Sequence, residues 1–345
     1  MKDILHQTLD ASKILITSET DETEGFGSLP LRDLTVGRKV SFDVFLKITE
    51  KGKTKPQLVK CCSRGEVFRE EWHEKLAHLQ IPCFYVSLGD MEQVLHYLQH
   101  HLESVLADDS IDKIEKGSLA SDTTQIWTLN FFNNMEARTA GTVKQGLQYL
   151  DTLFEVIQDD SQNLLQLMKL ETQKSLRLYT HCLNVSLLGL AFTGYLGWSR
   201  EKSRGFGLGA LVHDIGLVRT PLAILEKRGG LTTEEMLEVK RHPIESYRLV
   251  KGFVSLPMEA VEMVLQHHEN GDGSGYPKGL KTSNIHTWAR ILRILDSYEA
   301  MTAARPWRGA MKPHAALEIM RKEWEKSKVF DRHYLRAFIK FLASR

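Results

Sequence analysis

The stretch His267-His268-Glu269-Asn270-Gly271-Asp272-Gly273-Ser274-Gly275-Tyr276-Pro277 restricts the folds open to this chain more than any other. Two adjacent imidazoles precede a turn with glycine at alternate positions, closed by Tyr-Pro. Neighbouring residues on a helix point roughly 100° apart, so both rings reach one site only where a helix ends or a wide cavity lies beside it. Gly271, Gly273 and Gly275 supply backbone freedom that weakens a continuing helix. The stretch therefore predicts a helix that delivers two nitrogen ligands and then stops in a structured loop. A histidine pair alone is weak ground, because helical histidines are mostly satisfied core or surface residues.

Other segments add to it. His213-Asp214 lies in Gly209-Ala210-Leu211-Val212-His213-Asp214-Ile215-Gly216, an apolar helical stretch interrupted by an acid. Burying Asp214 there without a partner costs several kcal/mol, and a cation removes that cost. His181 sits on an earlier amphipathic helix, His242-Pro243 follows a helical run beginning near Thr232, and Asp296 is set in Arg290-Ile291-Leu292-Arg293-Ile294-Leu295-Asp296. Five imidazoles and two carboxylates from five helical segments are too many ligands for one ion. Without thiolates, a mixed nitrogen and oxygen set suits iron or manganese ahead of nickel, cobalt or zinc.

The order of these residues resembles the HD-GYP family of metal-dependent phosphodiesterases. The likeness covers residues 166 to 335: His-Asp followed by Ile-Gly, then LTTEE, HP, HHENGDGSGYPKGL, ARIL before Asp296, and RPWR. It implies an all-helical domain over 166–345 in a mainly α protein, with His181, His213 and Asp296 on one metal and His242, His267 and His268 on the other. Asp214 bridges the two. Two divalent ions, iron or manganese, then hold a hydroxide as the nucleophile, polarise a phosphodiester and stabilise the leaving oxygen, with His213 and Asp214 at the catalytic centre. The implied substrate is cyclic di-GMP, opened to linear pGpG and sometimes onward to GMP, a step in bacterial second-messenger signalling. The resemblance also nominates Arg305 and Arg308 of RPWR as phosphate contacts, where a guanidinium fork suits paired oxygens. Tyr276 joins them as a substrate contact, although with Pro277 it chiefly shapes the loop and a docking surface for GGDEF-domain proteins.

Three positions depart from the family pattern. Arg177 stands where some members have a glutamate that helps hold a third metal. Leu217 replaces the lysine of HDIGK, which reaches a substrate phosphate, and Asn270 replaces the frequent arginine after HHE. The ligand set is complete, but full catalytic competence does not follow. The alternative reading is a weak or inactive effector that binds cyclic di-GMP, or a protein that partners GGDEF domains.

The 345 residues suffice for two domains. A formal net charge of +1 argues against a broad nucleic-acid surface and leaves room for a local basic cleft. Cys61, Cys62, Cys83 and Cys182 form no zinc-type or disulfide-type spacing, which points to a reducing compartment. No apolar run approaches the roughly 20 residues that span a bilayer, and the start lacks the apolar core of a secretion signal. The expectation is a cytoplasmic protein.

Residues 1–28, with acids at Glu19, Asp21, Glu22 and Glu24, read as a flexible lead. Residues 29–106 read as a small α+β regulatory or partner domain. Val40 to Ile48 alternates like a half-buried strand and, with a turn at Lys51-Gly52-Lys53, forms a hairpin with Pro56–Cys62. Helices follow at Glu70–Gln80 and, capped by Asp90, to Leu106, with a strand at Cys83–Leu88 between them. His96 and His100 have metal-chelating spacing but no third ligand beside them, so they are read as an exposed face. Residues 107–165 hold a polar linker to about residue 120 and connecting helices, with Phe131, Met135, Val143, Leu147, Leu150, Phe154 and Ile157 among the apolar positions. These helices form either a hairpin packed on the catalytic domain or, on the sharper reading, a signal-carrying helix or a homodimer seam. Beyond Glu171 no strand is expected, and Thr232 with Glu235 makes a capping box.

Overall fold

A computed structural model describes residues 14–15, 25–50, 57–135, 138–160, 162–168, 176–227, 229–253, 256–304 and 308–344. It splits into two compact units, Met1–Ile126 with Thr172–Arg177, and Trp127–Glu171 with Leu178–Arg345.

The first unit contains β1 (Ile14–Leu15), β2 (Phe26–Pro30), β3 (Val44–Glu50), β4 (Gln57–Cys62), α1 (Glu70–His78), β5 (Cys83–Ser87) and α2 (Met91–Ala107). The antiparallel sheet runs β1-β3-β5-β2, with β4 paired to β3. The predicted alternation buries Val40, Phe42, Val44, Leu46 and Ile48. The ladder, however, begins only at Val44. Before it, Val40 donates its N–H to the Glu66 carbonyl and Lys39 bridges Val67, so 39–43 follow a different partner from β4. Residues 26–28, read as part of a lead, belong to β2, whose register with β5 runs from Phe26 opposite Ser87 to Pro30 opposite Cys83. Two of the five residues in Phe-Gly-Ser-Leu-Pro are breakers, so the strand exists through its partner rather than through propensity. Asp90 precedes α2 but makes no side-chain cap, because its carboxylate takes Arg64 instead. The acidic stretch 16–24 and the turn at 51–53 lie outside the described residues.

The polar linker also reads differently. Asp108 accepts from the Ser110 N–H and Asp112 from the Ile114 N–H, so these residues make a turn and a cap for α3 (Lys113–Asn133), which runs from the first unit into the second. Leu119 and Ala120 are already buried in it. Met135 falls beyond the end of α3 and is 75% exposed.

The second unit continues with α4 (Ala140–Asp159), α5 (Asn163–Leu167), α6 (Arg177–Tyr195), α7 (Arg200–Val212), a 3₁₀ turn (Ile215–Arg219), α8 (Leu222–Leu225), α9 (Thr233–Val239), α10 (His242–Val250), α11 (Met258–Gln266), α12 (Thr287–Thr302), α13 (Pro313–Ser327) and α14 (Arg332–Ala343). Among the described residues beyond Glu171 no strand forms, only an isolated bridge between Asp272 and Lys281. From Thr180 to Thr193 every residue of α6 is buried, as suits a helix apolar on all sides at the centre of a bundle. α4 is tied to α7 by Asp151, which takes Arg200 and Arg204 at 2.7 and 2.6 Å. α14 brings Phe338 and Phe341 onto Phe192 of α6, with ring centroids 5.3 and 5.5 Å apart. The expected capping box at Thr232 and Glu235 is present. Among the described residues no helix is long and apolar enough to cross a membrane.

Candidate metal centre

Helix ends deliver most of the imidazoles. His213 follows the last residue of α7, His267 follows the last residue of α11, and His242 lies three residues past the end of α9. The closing turn of a helix leaves carbonyls without intrahelical partners. Nδ1 of His213, His242 and His267 lies 2.7, 2.8 and 2.8 Å from the carbonyls of Ala210, Val239 and Val264. A carbonyl only accepts, so each Nδ1 carries a proton, and in the neutral ring Nε2 is then the nitrogen left to bind a ligand. His181 lies inside α6 rather than at a helix end. Its Nδ1 meets the Glu299 carboxylate at 2.5 Å, and Asn184 donates to the other oxygen at 3.2 Å. Glu299 is only 2% exposed. Sequence reasoning missed it, although it follows Asp296 by three residues and so stands one turn along the same face of α12.

All seven predicted ligands come together. Asp214 is the hub, with carboxylate oxygens 3.1 Å from His242 Nε2, 3.3 Å from His213, 3.5 Å from His267 and 3.7 Å from His181. Asp296 reaches His181 Nε2 at 3.2 Å. The potential ligand atoms fall into two groups, Asp214 with His242, His267 and His268, and His181 with His213 and Asp296.

Three observations test whether a metal fits. Nε2 of His242 and Nε2 of His267 face each other at 3.1 Å. With both rings neutral and protonated at Nδ1, that contact sets one lone pair against another, a repulsion that a cation bound by both nitrogens removes. Nε2 of His213 and Oδ1 of Asp214 are buried without a hydrogen-bond partner, a costly state for polar atoms in a dry interior. The charge states agree as well. Burial pushes His267 down to about 4 and His268 well below its ordinary value, so both are neutral ligands at pH 7. Burial opposes the ionisation of Asp214 and Asp296, but neighbouring imidazoles, His213 and His242 for the first and His181 for the second, hold both well below the usual carboxylate range. Burial also opposes a charge on His213, yet Asp214 draws a proton to it, at the position a metal cation would take.

The loop after His268 is pinned by Glu269, which is buried and accepts from the backbone N–H groups of Lys278 and Leu280 at 2.7 and 2.8 Å. The Tyr276 N–H donates to the His268 carbonyl. A Cβ on Gly275 would lie 2.2 Å from the Asn270 nitrogen, so only glycine closes this loop. Gly216 plays a similar part in the 3₁₀ turn: a Cβ there would meet the His242 carbonyl at 2.4 Å, and its N–H donates to Ser246 Oγ. The loop lays the Tyr276 ring on His268, centroids 4.8 Å apart and planes 26° apart. Lys240 lies 5.3 Å from the other ring, that of Tyr276.

Of the predicted phosphate contacts, Arg305 lies outside the described residues. Arg308 donates through both terminal nitrogens to the carbonyls of Met301 and Ala300 at 2.8 and 2.6 Å, which caps the end of α12. Leu217 lies half-buried in the 3₁₀ turn, three residues past Asp214, and side chains three apart eclipse in such a turn. Asn270 accepts from Arg293 Nε at 3.1 Å, and Arg293 also donates to Ser297 and lies over the Phe330 ring. His96 and His100 are exposed and belong to neither ligand group.

A family model described as HD domain matches residues 157–333. The chain is 36% identical over 177 residues to a cyclic di-GMP phosphodiesterase of Pseudomonas aeruginosa, a match that takes in 51% of this chain and 42% of the relative. It is 38% identical over 162 residues to the 3'3'-cGAMP-specific phosphodiesterase 1 of Vibrio cholerae, covering 46% of this chain and 37% of that one. The chain thus spans about two fifths of the length of these relatives. A solved structure of an HDG"Y"P protein from Bdellovibrio bacteriovorus superposes with a TM-score of 0.65 at 20% identity, covering 92% of this chain and 99% of the other, and so shares its fold.

Proposed function

The chain belongs to the HD-domain family, its sequence and site are of the HD-GYP kind, and from that premise we propose that it is a metal-dependent phosphodiesterase that opens cyclic di-GMP to the linear dinucleotide. The observation that carries the reading is the facing pair of Nε2 nitrogens on His242 and His267, joined to His213 through the shared carboxylate of Asp214. His181, His213 and Asp296 would hold one divalent ion and His242, His267 and His268 the other, with Asp214 shared. The donor set suits iron or manganese. When bound, two such ions supply the positive charge that polarises a phosphodiester and activates water. The chain's own residues keep the ligands in the right tautomer and ionised state, through the three carbonyls and Glu299. The Tyr276 ring packs on His268, and burial, with the Asp214 and Asp296 charges, pushes its hydroxyl up, so that it stays a donor for a phosphate oxygen. The exposed rim of the loop, at Asp272, Ser274 and Lys278, is the surface we assign to a GGDEF-type partner.

Metal analysis of anaerobically purified protein, joined to hydrolysis assays with cyclic di-GMP and 3'3'-cGAMP, tests this reading. About two ions per chain and turnover of cyclic di-GMP are expected. Leu217 favours one other reading, a nucleotide-binding effector, because no cation follows Asp214 at the position where the family carries lysine. Full metal occupancy with nucleotide bound and not turned over would decide for the effector.

A further inference from the structure

On the second unit, a groove of about 930 Å³ runs along α14, lined by Tyr195, Trp324, Lys328, Arg332, Arg336 and Lys340, with Thr282 and Asp331 at its margin. Arg332, Arg336 and Lys340 recur every four residues, so they share one helix face, about 6 Å apart along the axis. Like charges at that spacing oppose helix formation. Among the described residues none of these three, nor Lys328, pairs with a carboxylate. The acid in the lining, Asp331, is already used: one oxygen caps the His333 and Tyr334 N–H groups and the other binds Arg290 at 2.7 Å. Two of the cations rest on the indole of Trp324 instead, Lys328 at 4.2 Å and Arg332 at 5.3 Å from the ring centroid. Lys328 also holds a left-handed backbone with φ of 60° at the end of α13, a place that glycine fills more cheaply. The chain as a whole carries a formal charge of only +1, so this concentration of unneutralised cations is local.

We propose that the groove is a second anion site that takes a dinucleotide with two phosphate groups. The arginine and lysine ladder matches phosphates about 6 Å apart. The 46% exposed ring of Tyr195 and the edge of Trp324 offer stacking surfaces for bases. The volume lies within the range of small-ligand sites. The groove also shares backbone with the loop of the metal centre: Gly271 donates its N–H to the Val329 carbonyl at 2.8 Å and accepts from Thr282, which lines the groove. The choice of a diguanylate as probe rests on the proposed phosphodiesterase reading; the groove itself does not.

The test is equilibrium binding of a hydrolysis-resistant phosphorothioate of linear diguanylate to the full-length, metal-loaded protein. Two molecules per chain are expected in the wild type, one in Arg332→Glu/Arg336→Glu, and one in Asp214→Ala. Neutral Arg332→Gln/Arg336→Gln, with fold checked by circular dichroism and metal content, should weaken the groove component by about tenfold per cation removed. Tyr195→Leu should weaken binding of the dinucleotide but not of inorganic pyrophosphate. A single wild-type site that vanishes in Asp214→Ala and survives both arginine pairs overturns the groove proposal. So does equal or tighter binding of a long single-stranded oligonucleotide or of polyglutamate lost in the same variants, which makes the groove a macromolecular contact. A single site lost in the arginine variants and kept in Asp214→Ala upholds the groove, and it is then the phosphodiesterase reading that lacks a bound nucleotide.

Discussion

Both halves of the candidate centre hold an imidazole set by the main chain, His213 in one and His242 and His267 in the other, but only one half also depends on a side chain. His242 and His267 are set by the main chain, each donating Nδ1–H to a carbonyl three residues back near a helix end. His181 is set by a side chain, the buried carboxylate of Glu299. A carbonyl fixes the tautomer and adds only a partial charge, and no point substitution removes it. A carboxylate fixes the tautomer, adds a full negative charge that raises ligand basicity, and hangs on one residue. The half of His242 and His267 should therefore resist mutation of its surroundings, whereas the half that includes His181 can be weakened at a single position away from the ligands.

Asp214 lies against imidazoles of both halves, so its removal should show the largest effect. In Asp214→Ala the four imidazoles lose their common partner. We expect metal content to fall below about a tenth of the wild type, with hydrolysis abolished and helical content kept. Wild-type metal content in that variant would remove Asp214 from the ligand set and leave the two halves independent.

The next largest effect tests whether the halves need a third charge beside them. Leu217 lies on the 3₁₀ turn three residues past Asp214, so a lysine there projects from the same side as the carboxylate. One added cation at a phosphate is worth on the order of 2–4 kcal/mol in the transition state, or roughly 30- to 1,000-fold in rate. Leu217→Lys should raise turnover by that order and leave metal content alone. Unchanged turnover would mean that Leu217 does not limit the rate.

Glu299→Gln separates the halves directly. The amide oxygen still accepts from His181, but the charge is gone. We expect about 10- to 100-fold weaker metal binding in the group of His181, His213 and Asp296, with the other group unaffected. At limiting metal, stoichiometry should then approach one ion per chain rather than two. Equal loss at both groups would show that Glu299 supports the fold rather than one half.

What the sequence made legible follows the same division. His213, His242, His267 and His268 were readable because helix ends have their own signals: His-Asp-Ile-Gly, His-Pro and the glycine-rich loop. His181 and Asp296 lie inside helices, and only the order of the family motif gave them away. Glu299 carried no local signal beyond being a second acid on an apolar helix, since its meaning depends on His181 lying 118 residues away in the chain. Glu269 was hidden for a similar reason, as its partners are two backbone N–H groups that only the closed loop presents. In the sheet, alternation predicted which residues of 40–48 are buried but not where the ladder starts, which Glu66 and Val67 decide. β2 was missed because its residues are poor strand formers held by β5.

The smallest effect concerns His268, the ligand that differs from both patterns: its ring lies beneath Tyr276, at 4.8 Å between centroids. Tyr276→Phe keeps that ring and removes only the hydroxyl. Metal content should therefore stay at the wild-type level. Burial and the Asp214 and Asp296 charges keep the hydroxyl protonated, so it can donate and cannot serve as a base at neutral pH. If it donates to a substrate phosphate, its loss removes one hydrogen bond to a charged group, about 1.5 kcal/mol, and raises KM by roughly tenfold with little change in kcat. Tyr276→Ala should add to this a loss of metal from the group that contains His268, because the ring that steadies the imidazole is gone. A Tyr276→Phe variant with unchanged KM would confine Tyr276 to positioning His268. A Tyr276→Ala variant with full metal content would leave His268 held by its place at the end of α11, as main-chain-set as His267 beside it.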